Sequence, residues 1–332
     1  MNNFYIYPIG DPKNNDSKNP YITDMVSNIS NSNIVVNKNS INYFGILQAY
    51  KYFFTTKYFI FNWTENISNR KYGLLQTILF IFLLILIRIF RKKFIWILHN
   101  KHPHSGSTFF SEINMYFSLL YSDKIFTHAK DGIDFIKNKY GSKFVFKVNY
   151  IPHPSNRRTL LKKDNKKIKF DLIIWGKIDK YKGIVEFLKF IKSKKEFKNI
   201  KILICGKCSD SKYARSINSF CSEQITFLNE FISSKKLFIL IQQSRYILFT
   251  YLSDSVLSSG SLINSMYYNA EIIAPNFGSF KDLSDINIIH SYISYKDIIE
   301  ILNKNLKKNS KKLIVDYINK NHWSNFINKI KI

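Results

Sequence analysis

Three cysteines in 332 residues cannot build a disulfide framework, and no basic segment followed by a long apolar core opens the chain. A secretory leader is therefore not read here, and a reducing cytoplasmic compartment is expected. Cys205 and Cys208 match C-x-x-C, but they follow the run IKILICG instead of opening a helix in a small thioredoxin-like unit. They are read as incidental thiols at a strand end. Acidic side chains are the next shortage: 23 Asp and Glu stand against 50 Lys and Arg, a net charge of +27. That surplus fits nucleic acid, an anionic membrane face or phosphate-bearing small molecules. The lysines are scattered, however, and neither zinc-finger spacing nor an RNP-type aromatic motif accompanies them, so nucleic acid is not an expected partner. A metal is not expected either. His99, His102 and His104 crowd the stretch HNKHPH, yet no cysteine or carboxylate completes a tetrahedral set.

What the chain does have is apolar, at 45% of its residues, and this is globular composition. Short β-branched and aromatic runs fall at 3–9, 33–37, 58–63, 94–99 and 124–129 in the first half. In the second half they fall at 170–175, 200–205, 225–228, 246–251 and 271–274. Helical segments separate them, the pattern of parallel sheets covered on both faces. The expected class is α/β, with two doubly wound, Rossmann-like domains facing across a cleft. The first domain is set at 1–155 and the second at 170–312. The polar, basic stretch 156–169 joins them. The segment 313–332, with Trp323, reads as a helix for which the N-terminal domain is one place to return.

Residues 72–87, YGLLQTILFIFLLILI, carry no charge, with Arg70 and Lys71 before them and Arg88, Arg91, Lys92 and Lys93 after. The run is short for a bilayer and lies between two strands of one expected sheet, so a span would break the domain. Two readings stay open: a helix buried against the sheet, or a helix pressed into the inner leaflet with basic flanks on lipid phosphates.

The stretch WGKIDKYKGIVEFL leaves a strand at Trp175, turns through a short basic loop and enters an apolar-striped helix near Gly183. Free amide N–H groups at such a helix start, with Lys177 and Lys182 beside them, suit a phosphate. A second helix start, Ser258-Ser259-Gly260-Ser261, offers hydroxyls and a glycine for the same task.

In order and spacing these segments resemble the GT-B glycosyltransferases, family 4 and its bacterial polysaccharide relatives. Gly176-Lys177 with Lys182-Gly183 is similar to their G-R/K-x-x-x-x-K-G element, LICGK at 203–207 to L-x-I-x-G, and SSGSLINSM followed by EIIAPNFGSF to the donor-phosphate loop and next strand. NPY at 19–21, FNWTE at 61–65, IWILHNKHPH at 95–104 and IPHP at 151–154 extend the likeness into the first half. The resemblance implies a sugar moved, with retention, from a nucleotide diphosphate (UDP or GDP) to a glycan or polyprenyl-diphosphate-linked acceptor. It implies no metal and no other cofactor. Lys177, Lys182 and His99 would act in catalysis, and Gly176, Gly206, Tyr251, Ser258, Ser259, Gly260, Ser261 and Asn264 would complete the donor site. Asn100 and His104 would stand on the acceptor side. The protein is expected to lie peripherally on the inner face of the plasma membrane, through its basic residues and the segment from Tyr72 to Lys93. One departure stands out: where the family carries two glutamates eight positions apart, this chain has Val256 and Asn264.

Overall fold

The computed structural model describes residues 1–10, 19–40, 45–103, 106–156, 159–162, 167–252, 255–304 and 311–330. The chain divides into two compact units. The first is assembled from 1–156, 255–260 and 321–332, the second from 157–254 and 261–320.

The first unit holds β1 (Asn3–Tyr7), β2 (Ile34–Val35), β3 (Tyr58–Asn62), β4 (Lys93–Leu98), β5 (Lys124–Thr127) and β6 (Val148–Tyr150). They form one parallel sheet in the order β2-β1-β3-β4-β5-β6. Side chains alternate across it with a period of two. Tyr5, Tyr7, Phe59, Phe61, Phe94 and Trp96 bury one face against Phe80, Leu83, Leu84 and Ile87 of the helix Gly73–Ile89. Phe4, Ile6, Ile60, Ile95 and Ile97 bury the other among Tyr21, Met25, Trp323 and Phe326. Both faces being covered, the strands read as unbroken apolar runs. Each buried ring contributes roughly 1.5–3 kcal/mol.

The second unit holds β7 (Phe170–Trp175), β8 (Ile202–Cys205), β9 (Ile225–Leu228), β10 (Ser244–Leu248), β11 (Glu271–Pro275) and β12 (His290–Tyr292). Its order is β12-β11-β10-β7-β8-β9, all parallel, which is the Rossmann order. Leu172, Ile174, Ile202, Ile204 and Leu248 pack on Ile184, Phe187, Leu188 and Ile191 of the helix Ile184–Lys192.

The parallel α/β character of both halves follows from the apolar runs. The three-residue strands β6 and β12 were not among them, since VNY and HSY hold no run of apolar residues. The 72–87 run lies in the helix Gly73–Ile89, which buries one side only. Among the described residues no helix is long and apolar enough to cross a membrane.

Candidate functional site

In the second unit the sheet order turns between β7 and β10, and ligands of such sheets sit beyond the carboxyl ends of the strands at that point. Gly176 follows β7 with φ 98°, where side-chain residues are strained. A Cβ added there would lie 3.2 Å from Lys182 Nζ and 3.3 Å from Ser261 Oγ, so an ammonium and a hydroxyl converge over bare backbone. Gly206, after β8, comes so close to the Gly176 carbonyl oxygen that a Cβ would sit 1.9 Å from it.

Lys182 is only 3% exposed. It closes the single turn Lys180–Lys182, which Asp179 caps. Thr250 Oγ1, just past β10, donates to the Lys182 carbonyl at 2.6 Å. The ammonium donates to the Trp175 carbonyl at 3.2 Å and lies 5.9 Å from the centre of the Tyr251 ring. The acids of this loop are engaged by other lysines: Asp179 pairs with Lys177 at 3.8 Å, and Asp210 with Lys180 at 2.8 Å. Among the described residues no carboxylate is within ion-pair reach of Lys182. Burial lowers its ammonium to about 8, with Asp179 and Cys205 pulling it back up. A buried cation resting on a carbonyl is costly until an anion settles beside it.

Lys177 sits differently. Its side chain is 71% exposed and paired with Asp179, so it reaches solvent from the same loop. The expected free amides at the start of helix Ile184–Lys192 are corrected by the structure. Gly183, Ile184 and Val185 are buried, and the Tyr213 hydroxyl accepts from the Val185 N–H at 3.4 Å. Lys182, rather than this helix end, supplies the positive charge. Tyr251 is buried between Tyr181 and Phe280. Asn264 is half-buried on the helix Gly260–Tyr267. Cys205 and Cys208 are buried free thiols in the same unit.

The strand ends of the first unit carry rings. Asn62 Nδ2 donates to the Tyr7 carbonyl at 2.9 Å, which turns its Oδ1 to His99 Nε2 at 3.0 Å. One amide thus ties together β1, β3 and the residue after β4. Trp63, in the left-handed region at φ 51°, stacks on His99 with ring centres 4.3 Å apart. His128 Nδ1 donates to the Ile151 carbonyl at 2.8 Å, so its Nε2 accepts from the Tyr21 hydroxyl, also at 2.8 Å. Tyr21 touches His99, His128, His153 and Trp323 as well. Burial holds His99 well below its ordinary range, His128 at about 3 and His153 at about 4. All three imidazoles are neutral at pH 7.

Beyond β4 the chain pairs with the segment 255–260. Asn100 bridges Val256 in antiparallel fashion, flanked by Leu257 N–H to the His99 carbonyl (3.1 Å) and Lys101 N–H to the Ser255 carbonyl (2.8 Å). Val256, where the resemblance puts a carboxylate, is 4% exposed and serves this pairing. Ser258, Ser259 and Gly260 belong to this first unit, whereas Ser261 belongs to the second. Ser258 Oγ is buried without a hydrogen-bond partner among the described residues. A Cβ on Gly260 would come 3.9 Å from His153 Nε2. His104 lies outside the described residues.

Glu65 was passed over in the sequence. It is fully buried on the turn after β3, and its Oε1 accepts from Asn100 Nδ2 at 3.0 Å. Its Oε2 is buried with no partner among the described residues. Burial raises the carboxyl to about 7, the Asn100 hydrogen bond acting the other way. The available signal was its isolation, because no other acid stands between Asp24 and Glu112. Among the described residues no group of His, Cys, Asp or Glu is placed to hold a metal ion.

No protein-family model matches this sequence, and no curated protein matches it in sequence. Solved structures match its fold. Anabaena Alr3699/HepE, solved in complex with UDP, aligns over 99% of both chains at a TM-score of 0.67 and 8% identity. The lipopolysaccharide outer core galactosyltransferase WaaB aligns over 99% of both at 0.62 and 14%. AviGT4, a glycosyltransferase of avilamycin A biosynthesis, aligns over 99% of this chain and 96% of its own at 0.59 and 10%. The chain has the GT-B glycosyltransferase fold.

Proposed function

We propose that this protein is a glycosyltransferase that moves a sugar from a nucleotide diphosphate to a glycan or lipid-linked glycan acceptor. The observation that carries the reading is Lys182, a buried ammonium with no carboxylate partner among the described residues, at the switch point of a Rossmann-ordered sheet. A departing diphosphate gains negative charge, so a fixed cation there favours the transition state over the ground state. Ser261 Oγ and the bare backbone at Gly176 give that group a hydroxyl and close access. By the family 4 resemblance the donor is a uridine or guanosine diphosphate sugar used without a metal, and the UDP bound by one structural neighbour is a nucleotide of that class. Retention, as in family 4, goes with that arrangement: the leaving diphosphate oxygen takes the acceptor proton on the face it departs from. His99, neutral and held through Nε2 by Asn62, keeps Nδ1 as an acceptor for a sugar hydroxyl. Asn100, next in the chain, is held through its side-chain amide by Glu65. A role in surface-polysaccharide assembly, at the cytoplasmic face of a membrane, supplies the lipid-linked acceptor.

Val256 and Asn264 favour a second reading, a homologue that binds the sugar nucleotide and turns it over weakly or not at all. Thermal shift with UDP, GDP and their sugars tests both. A nucleotide at 100 times its dissociation constant adds about 2.7 kcal/mol. No shift with any of them overturns both readings. A shift without transfer or donor hydrolysis leaves the second.

A further inference from the structure

The helix Gly73–Ile89 has two unlike sides. Gln76, Thr77, Phe80, Leu83, Leu84 and Ile87 are buried in the first unit. Leu74, Leu75, Ile78, Phe82 and Ile89 are each at least half exposed, as are Phe90 just after the helix and Phe54, whose ring meets Phe90 edge-on. At 100° per residue the five helical positions fall within a wedge about 100° wide, opposite the buried set. Five large aliphatic and aromatic side chains in one solvent-facing row exceed the scatter of single apolar residues on a soluble surface. Basic residues close both ends of the row: Arg70 and Lys71 before it, Arg88 and Arg91 after it, all four exposed. The helix itself carries no acid.

We infer that this face docks on an anionic lipid bilayer, the helix lying in the plane of the interface with its outer row among the acyl chains and its basic ends on lipid phosphates. Charge decides the occupant. A second copy meeting this face across a two-fold axis would press four cationic side chains against four more. A bilayer with acidic headgroups offers both an apolar interior and the opposite charge. The helix is 17 residues long, about 25 Å, and its inner side belongs to the protein core, so it rests on the membrane rather than crossing it. The inference extends the membrane-side location proposed above and rests on that reading only for the lipid-linked acceptor. Vesicle binding involves no nucleotide, so either reading can fail alone.

Flotation of the full chain with vesicles of phosphatidylglycerol and phosphatidylcholine, against pure phosphatidylcholine, is the test. The expected result is binding to the acidic vesicles at least ten-fold tighter than to the neutral ones, weakening as salt rises. Leu75→Asp with Ile78→Asp should lower it at least ten-fold. These side chains are outside the core, so an unchanged melting temperature should accompany the loss. Arg88→Glu with Arg91→Glu, which spares the apolar row, should remove the preference for acidic lipid. Equal recovery with both vesicle types at low salt, or full binding by the Asp pair, overturns the inference. So does a wild-type dimer that the Asp pair breaks while neither form binds vesicles.

Discussion

The two parallel sheets end in opposite chemistry. Past β7 and β8 stand Gly176 and Gly206, with a buried ammonium over the first. Past β3, β4 and β5 stand Trp63, His99 and His128, with Tyr21 against two of the rings and near the third. Bare backbone and a cation admit a compact, highly charged group. The imidazoles, held neutral by burial among other rings, leave single hydrogen-bonding atoms, the chemistry the proposed sugar side needs. Under the proposed function, similar topology would serve two kinds of recognition, and the difference lies in which side chains follow the strands.

Lys182→Met attacks the charged end and should have the largest effect. Transfer, read as kcat/KM, should fall by about 2–4 kcal/mol of transition-state stabilisation, as loss of one such donor does. The ligand-free variant should nevertheless gain stability. The folded ammonium titrates at about 8 against an ordinary 10.5, so the unfolded chain holds more protons between those values. Native stability rises with pH across that window and bears the full cost below pH 8, about 3 kcal/mol. Denaturant unfolding at pH 7 should show that gain, and a destabilised variant would contradict the assignment.

Glu65→Gln probes the ring-bearing end. The carboxyl titrates at about 7 in the folded unit against 4.5, so its contribution is complete below pH 4.5 and lost as pH rises to 7, up to about 3 kcal/mol. His99, His128 and His153, all depressed below 6.5, act in the reverse sense: their contribution is present above pH 6.5 and lost as pH falls. The wild-type profile from pH 4.5 to 6.5 is the difference of these two slopes. Glu65→Gln should leave only the imidazole slope, a steeper loss toward acid, in unfolding curves taken at each pH. An unchanged profile would remove Glu65 from the account.

Tyr21→Phe is a smaller cut, taking one hydroxyl from His128 Nε2 and leaving a buried acceptor bare. About 1–3 kcal/mol of stability should go, with the rings still in contact. Lys177→Ala should be smallest, under about 0.5 kcal/mol in stability, because its pair with Asp179 is exposed. Its effect on nucleotide affinity, set beside that of Lys182→Met, separates a buried donor from one that reaches in from solvent.

The sheets were legible because buried parallel strands are apolar along most of their length, as YFIF and LIIW are. The edge strands β6 and β12 were not, since half-buried pairs need no such run. At the donor end the spacing of Gly176, Lys182 and Gly183 was visible, but the capture of the following helix start by Tyr213, 28 residues on from Val185, was not. Glu65 was hidden for a related reason. Its burial and its hydrogen bond from Asn100, 35 residues on, come from the fold and leave no mark in the adjacent sequence. Exposure of one side of the helix Gly73–Ile89 was likewise invisible, because inner and outer faces share the same Leu, Ile and Phe.

Trp323, Phe326, Ile327 and Ile330 fill the sheet face beneath Tyr21 and Phe126, and 255–260 lies against the end of β4. During synthesis, then, the first unit to begin is the last to be finished. Its strands must wait, with part of one face uncovered, for a helix synthesised after the whole of the second unit. A stop codon in place of Trp323 should leave the second unit able to fold and the first greasy and prone to aggregate.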